Sequence, residues 1–230
     1  MPPVNRLLLL SLLLAPGLLL AQEPDASPAD DTPAEVREFL AGWAAKMSTV
    51  RTLEVRFTQT KHLRMLRKPL VSTGYALLDG PHLLMVIEDG KGGIKTALQV
   101  APGEARLYSP SHKRLEVFEL REGAPPPTPF PLFGGDVQAL PRDYRIRLEA
   151  EENGTDLLVF TPRAEDPTVS EFRMWFRDHT VVAVEQRGAR GDTVTMTIEK
   201  FEINPTLAPG ALELALDPET EVVRVTQEAQ

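Results

Sequence analysis

The chain reads as a mainly β, antiparallel domain entered through a single helix, and three observations predict it. From Leu53 the apolar residues Leu53, Val55 and Phe57 alternate with Glu54, Arg56 and Thr58, the period-2 pattern of a strand with one dry and one wet face. Short apolar runs then recur along the chain, each bounded by Gly, Pro, Asp or Ser. Between them no helical periodicity intervenes, so the strands join by turns as an antiparallel meander rather than by parallel crossovers.

The helix comes first. Thr32-Pro33-Ala34-Glu35 offers a hydroxyl cap, a proline at the first helical position and a glutamate three residues after the cap, which predicts a capping box. Val36, Phe39, Leu40, Trp43, Met47 and Val50 follow at spacings of three and four, one apolar stripe. A first group of strands is expected over 52–63, 70–78, 82–87, 95–100, 105–108 and 114–120. A second is expected over 144–151, 155–161, 171–177, 181–187, 192–204 and 211–216. Turn signals stand at Glu152-Asn153-Gly154, Arg177-Asp178-His179 and Gly188 to Asp192. Between the groups, Arg121 to Pro141 holds Pro125, Pro126, Pro127, Pro129 and Pro131, a density that cannot join a sheet interior. Phe130, Leu132 and Phe133 give this crossing more apolar surface than a solvated linker uses, so it is expected to be a lid.

The ends and the composition bound the function. Residues 1–21 carry one charge, Arg6, before a Leu-rich run broken by Pro and Gly, the pattern of a secretory signal peptide. Residues 22–31 lack apolar periodicity and read as a disordered linker, leaving 32–225 as one expected domain. There is no cysteine, which excludes disulfides, thiolate nucleophiles, cysteine metal sites and acylation at an N-terminal cysteine. The net charge is −8, with the basic residues read as scattered, so nucleic-acid binding and electrostatic adsorption to membranes are not expected.

No catalytic constellation emerges. His62, His82, His112 and His179 show no zinc spacing, and Ser109 and Ser111 lack a nucleophile elbow. Gly90-Lys91-Gly92-Gly93 lacks the phosphate-loop spacing and reads as a hairpin turn, while Glu149, Glu151 and Glu152 run into the turn at Asn153-Gly154 as solvated charge. The expectation is a protein that is not an enzyme, without catalytic residues, cofactor or metal.

Several motifs carry a resemblance. Phe57-Thr58-Gln59, Ser72-Thr73-Gly74-Tyr75, Pro81 to Val86 and Leu107-Tyr108-Ser109-Pro110 come in an order, and at spacings, that resemble the LolA family of periplasmic lipoprotein carriers. Asp156 to Pro162, Phe172 to Phe176, Ala183 to Gln186 and Asn204-Pro205 extend it, and Leu214, Asp217, Pro218 and Val222 resemble the closing strand. The resemblance implies an incomplete, strongly curved antiparallel β-barrel of about 11–12 strands with helices across its open mouth. It implies an apolar cavity for acyl chains, each buried methylene contributing about 0.8 kcal/mol. It implies a soluble periplasmic carrier, without sign of self-association, taking acylated lipoproteins from an inner-membrane ABC-type release complex to an outer-membrane acceptor.

Two departures stand out: Gly80, after Asp79, sits where the family has a basic residue that helps close the lid, and Val86 stands where an aromatic is usual. By position within the motifs, the ligand-binding residues are expected to be Phe57, Leu77, Leu84, Val86, Phe172, Met174 and Phe176, with Trp43 and Phe133 from the lid. Which strand face lines a cavity is a parity choice that the pattern leaves open when both faces are apolar. Two other readings remain: a carrier of a free lipid, glycolipid or pigment precursor, and a sensor that binds a protein partner through the same sheet and transports nothing.

Overall fold

The computed structural model describes residues 31–120, 137–150, 153–164 and 169–225. The expected signal segment, all of the 22–31 linker except Asp31, and the proline-rich part of the crossing with Phe130, Leu132 and Phe133 lie outside the described residues. The described chain is mainly β, with twelve strands, an N-terminal helix and a short second helix. It divides into two compact units. Unit one comprises Met1–Ser48, His62–Arg67 and Pro127–Thr195, and unit two comprises Thr49–Lys61, Lys68–Pro126 and Met196–Gln230.

In unit one, helix α1 spans Ala34–Met47 and buries Val36, Phe39, Leu40 and Trp43 of the expected stripe, while Met47 and Val50 are only half-buried. The capping box does not form. Pro33 takes the cap position with φ −55° and ψ 147°, and no side chain caps the helix. That moves Thr32 one residue outside, where its carbonyl instead accepts from Arg37 Nη1 at 2.9 Å, while the Pro33 carbonyl accepts from Arg37 N at 3.1 Å. Asp31, the end of the expected linker, is held by Arg163 at 2.6 Å, and this guanidinium keeps its carboxyl below the usual range.

A short helix α2, Leu140–Asp143, leads directly into the strands of unit one. These are β7 (Tyr144–Ala150), β8 (Asp156–Pro162), β9 (Val169–Arg177) and β10 (Thr180–Gly188), hydrogen-bonded in the order β10-β9-β8-β7 and antiparallel throughout. β9 and β10 are joined by Asp178 and His179, both left-handed at φ 49° and 54°. That is the backbone of a two-residue hairpin whose twist matches the strands, and Asp and His are among the few side chains that tolerate it.

Unit two holds β1 (Thr52–His62), β2 (Leu70–Asp79), β3 (His82–Glu88), β4 (Ile94–Ala101), β5 (Glu104–Ser109) and β6 (Arg114–Glu119), each antiparallel to the next. β11 (Thr193–Ile203) continues from unit one into unit two and neighbours β1. Gly80 at φ +54° with Pro81 closes the β2–β3 hairpin, so its glycine is required by backbone conformation.

Two expectations are corrected here. Residues 211–216 form no strand, and the last strand, β12, is Glu221–Val225. Pro205, Pro209, Gly210 and Pro218 remove donors and bend the chain, so it runs as a loop closed by local turns such as Glu213 N to Gly210 O at 2.9 Å. β12 pairs with β6 in parallel, Glu221 opposite Arg114 through Val225 opposite Phe118, so the sheet is not wholly antiparallel. β7 in unit one and β12 in unit two have a strand neighbour on one side only, so neither run closes into a barrel.

Candidate functional site

Strand β3 decides the layout of unit two. Leu83, Leu84, Met85, Val86 and Ile87 are all at most 4 % exposed, so both faces of this strand are covered. Register then sorts the neighbours, because residues directly opposite across a ladder project to the same side.

One face carries Leu84 and Val86. Across the ladders it adds Leu77, Tyr75, Ala97 and Tyr108, and on β6 Leu115 and Val117. Leu212 and Leu214 of the loop after β11 pack against this cluster. Gln99 Nε2 donates to the Leu212 carbonyl at 2.7 Å, and the Tyr108 hydroxyl accepts from Asp217 N at 3.2 Å. The leucines that sequence reading assigned to a strand are therefore the cover of this side.

The other face carries Phe57. It lies opposite Gly74, which lies opposite Ile87, and the same side presents Leu53 and Val55 of β1, Met85 of β3, Leu98 of β4 and Leu107 of β5. All six are at most 2 % exposed apart from Ile87 at 4 %, with Phe57 itself at 0 %. A Cβ on Gly74 would stand 2.4 Å from the Val86 carbonyl oxygen and 2.7 Å from Phe57 Cζ, so this glycine exists to let the Phe57 ring lie across β2.

The Phe57 face ends in polar groups. Gln59 is 6 % exposed, and its Oε1 has no hydrogen-bond partner. Two residues further, the Lys61 ammonium is pushed below its ordinary pKa, first by burial and then by Lys95. At the far side, Arg114 pairs with Glu116 at 2.9 Å while its buried Nε stays without a partner. Chemically this is a broad neutral apolar surface with an amide and a cation at one margin.

Unit one has its own aromatic layer. Phe172, Met174 and Phe176 alternate on one side of β9, and α1 lies over it, with the Phe39 and Trp43 rings each 5.0 Å from Phe176 in edge-on geometry. Trp43, Met174 and Phe176 are at most 1 % exposed. Phe172 is half-buried and meets the Tyr144 ring edge-on at 6.0 Å. Beside α1 a pocket of about 600 Å³ is lined by Glu35, Glu38, Phe39, Gly42, Leu148, Asp156 and His179. Three carboxylates make it a poor seat for an acyl chain or an anion. Among the described residues no cluster of three or more ligating side chains could hold a metal.

The expected ligand-binding set is thus distributed over three surfaces. Trp43, Met174 and Phe176 come together in unit one, with Phe172 on the same strand side. Leu77, Leu84 and Val86 share the side that Leu212 and Leu214 cover, Phe57 lies on the opposite side, and Phe133 lies outside the described residues. Met85, Leu98 and Leu107, which share the Phe57 face, were missed because the uninterrupted apolar run on β3 carries no period from which to choose a side, and the strands paired beyond it inherit that choice.

Residues 110–214 match the family model described as outer membrane lipoprotein carrier protein LolA. That stretch, a little under half of the chain, is LolA-like. That match begins at the turn after β5 and ends at Leu214, so it takes in β6 to β11 and the loop that covers the Leu84 side. A solved structure of an uncharacterised conserved protein from Thermus thermophilus is similar over 83 % of this chain and 99 % of its own, at 13 % identity and TM-score 0.51. A LolA superfamily protein from Nitrosomonas europaea covers 74 % of this chain and 96 % of its own, at 11 % identity and TM-score 0.37. The MucA/MucB complex of Pseudomonas aeruginosa matches over 84 % of this chain and 64 % of that chain, at 15 % identity and TM-score 0.47. At these identities the likeness is one of fold. No curated protein matches the sequence. No helix among the described residues is long and apolar enough to cross a membrane.

Proposed function

We propose that this chain is a non-enzymatic periplasmic carrier that holds the acyl chains of lipoproteins and moves them from an inner-membrane ABC-type release complex to an outer-membrane acceptor. The observation that carries the reading is the Phe57 face of unit two. From Leu53 to Leu107 it is a continuous neutral apolar layer, at most 4 % exposed and so open to cargo only when what covers it moves aside, and at its margin stand the orphaned Gln59 carbonyl and the desolvated Lys61. Acyl chains need contact area and few polar bonds, and the burial of methylenes supplies the affinity. Gln59 and Lys61 then meet the polar end of the cargo. The family-model match over residues 110–214 supports the same class of ligand.

The test is native mass spectrometry of the protein recovered without detergent from the exported fraction of its own host. A bound acylated protein supports the lipoprotein carrier. A free lipid changes the cargo to a lipid, and a protein held without any acyl group overturns acyl binding. In cells depleted of the protein, lipoproteins should accumulate in the inner membrane, and their normal arrival in the outer membrane would sink the proposal.

A further inference from the structure

The loop between β1 and β2 contradicts the charge balance of the rest of the chain. Between Glu54 and Asp79 there is no acidic residue, whereas Arg56, Lys61, Arg64, Arg67 and Lys68 fall in that stretch of a protein whose net charge is −8. Sequence averaging hid this cluster, and the expectation that basic residues are scattered does not hold here.

The same loop exposes its apolar side chains. Met65 is 75 % exposed and Leu66 43 %, and at the start of β2 Leu70 is 43 % and Val71 62 % exposed, together four of the six exposed large apolar residues identified among the described residues. In unit one the loop is held rather than loose. Arg64 N donates to Asp192 Oδ1 at 2.8 Å, Arg64 Nη1 to the Arg190 carbonyl at 3.0 Å, and Leu66 N to the Leu63 carbonyl at 2.8 Å. This holds Met65 and Leu66 at the tip in water, an arrangement that solvent alone does not favour.

The state of the charges points the same way. Several basic residues elsewhere are answered by carboxylates: Arg106 by Glu104, Arg173 by Glu171, Arg187 by Glu185, and Lys200 by Glu54 and Glu202. The side-chain cations of Arg64, Arg67 and Lys68 have no ion-pair partner among the described residues, and all three residues are exposed. Exposed Met and Leu flanked by uncompensated cations match a bilayer interface, where apolar tips enter the acyl boundary and cations meet anionic headgroups.

We propose that the tip around Arg64, Met65, Leu66, Arg67 and Lys68 docks on the surface of an anionic lipid bilayer. The docking does not depend on acyl chains being the cargo. A net acidic body keeps the rest of the protein off the same surface, so contact is confined to the tip and is reversible.

The experiment is co-sedimentation of the purified protein with vesicles of phosphatidylcholine, with and without phosphatidylglycerol. Binding is expected only with phosphatidylglycerol and should fall steeply as salt is raised. Arg67→Gln and Lys68→Gln should each weaken it about fivefold, and Met65→Ser with Leu66→Ser about tenfold or more. These side chains are exposed, so the variants are expected to keep the wild-type circular dichroism and melting temperature, which confirms that the loss is local. Equal binding to both vesicle types, or binding unchanged in the Met65→Ser, Leu66→Ser variant, overturns the proposal. So does an outcome in which the loop variants lose an acidic protein partner while vesicle binding was never present. Displacement of a fluorescent fatty acid, measured on the same variants, keeps the two proposals separate, because loop substitutions should leave it unchanged.

Discussion

His179 rests its imidazole on Gly42: a Cβ at position 42 would lie 2.8 Å from His179 Cε1 and 2.9 Å from Nε2. The ring also meets Phe39, with centroids 4.6 Å apart. One turn further along α1, Lys46 Nζ donates to the Asp178 carbonyl at 2.8 Å, so the helix and the β9–β10 hairpin of unit one meet at two successive contacts. A glycine inside a helix costs about 1 kcal/mol relative to alanine, and here that cost provides the room for the ring.

Gly42→Ala should therefore destabilise, because overpacking costs about 1–3 kcal/mol and exceeds the helix-propensity gain of about 1 kcal/mol. In a His179→Ala background the sign reverses, and Gly42→Ala should stabilise by up to about 1 kcal/mol. A double-mutant cycle by urea unfolding checks this, and a Gly42→Ala effect independent of position 179 would refute the contact.

Gly74→Ala should behave differently from Gly42→Ala. Its Cβ meets not only the Phe57 ring but the Val86 carbonyl oxygen at 2.4 Å, and a backbone atom of a central strand cannot move aside. A loss of about 3 kcal/mol is expected, and Phe57→Ala should not rescue it, since the backbone clash remains. Thermal unfolding of the single and double variants decides the matter.

Lys61 supplies a pH dependence. Burial and Lys95 depress its pKa in the folded protein below the ordinary 10.5, so the unfolded chain holds that proton more tightly. Below both pKa values both states are charged and the folded state bears the full penalty. As pH rises from the folded pKa towards the unfolded value, the unfolded state binds more protons, and this group's contribution to stability increases. Lys61→Met should raise the melting temperature at neutral pH by about 1–3 °C and flatten that alkaline rise. An unchanged melting curve at both pH values would show that Lys61 is solvated.

Asn204 joins the end of β11 to the entry of β1. At φ +57° its Oδ1 accepts from Arg51 N at 2.7 Å and Thr52 N at 3.3 Å, its Nδ2 donates to the Thr49 carbonyl at 2.9 Å, and its own N–H donates to the Thr52 carbonyl at 2.8 Å. Asn204→Ala loses the side-chain bonds and strains the left-handed backbone, for a cost of about 2 kcal/mol at this exposed position. Asn204→Gly relieves the strain alone and should recover roughly half of that loss. Equal losses for both variants would assign the whole effect to the side-chain hydrogen bonds.

Elements whose local chemistry is self-sufficient were legible in the sequence. The stripe from Val36 to Trp43, the alternation from Leu53 to Gln59 and the turn at Asp178-His179 each carry their period or their backbone preference in a few neighbouring residues. The stretch from Ala211 to Leu216 was misread because its leucines alternate as in a strand. Leu212 and Leu214 instead cover the cluster that holds Tyr108 and Leu115, a demand that arises across more than 90 residues of chain. The parallel pairing of β12 with β6 was unreadable for the same reason.

Most of the strand inventory, the helix face, the absence of cysteine chemistry and the LolA-like order of motifs follow from the residues alone, because they depend on residue type and short-range spacing. Which side of β3 holds Leu84 and which holds Met85 emerges only in the packed fold, since a strand buried on both faces has no polar residue to mark its outside. The same is true of Arg64, Met65, Leu66, Arg67 and Lys68, which stand together and uncovered. Exposure is set by what the rest of the chain leaves uncovered, and no local pattern records it.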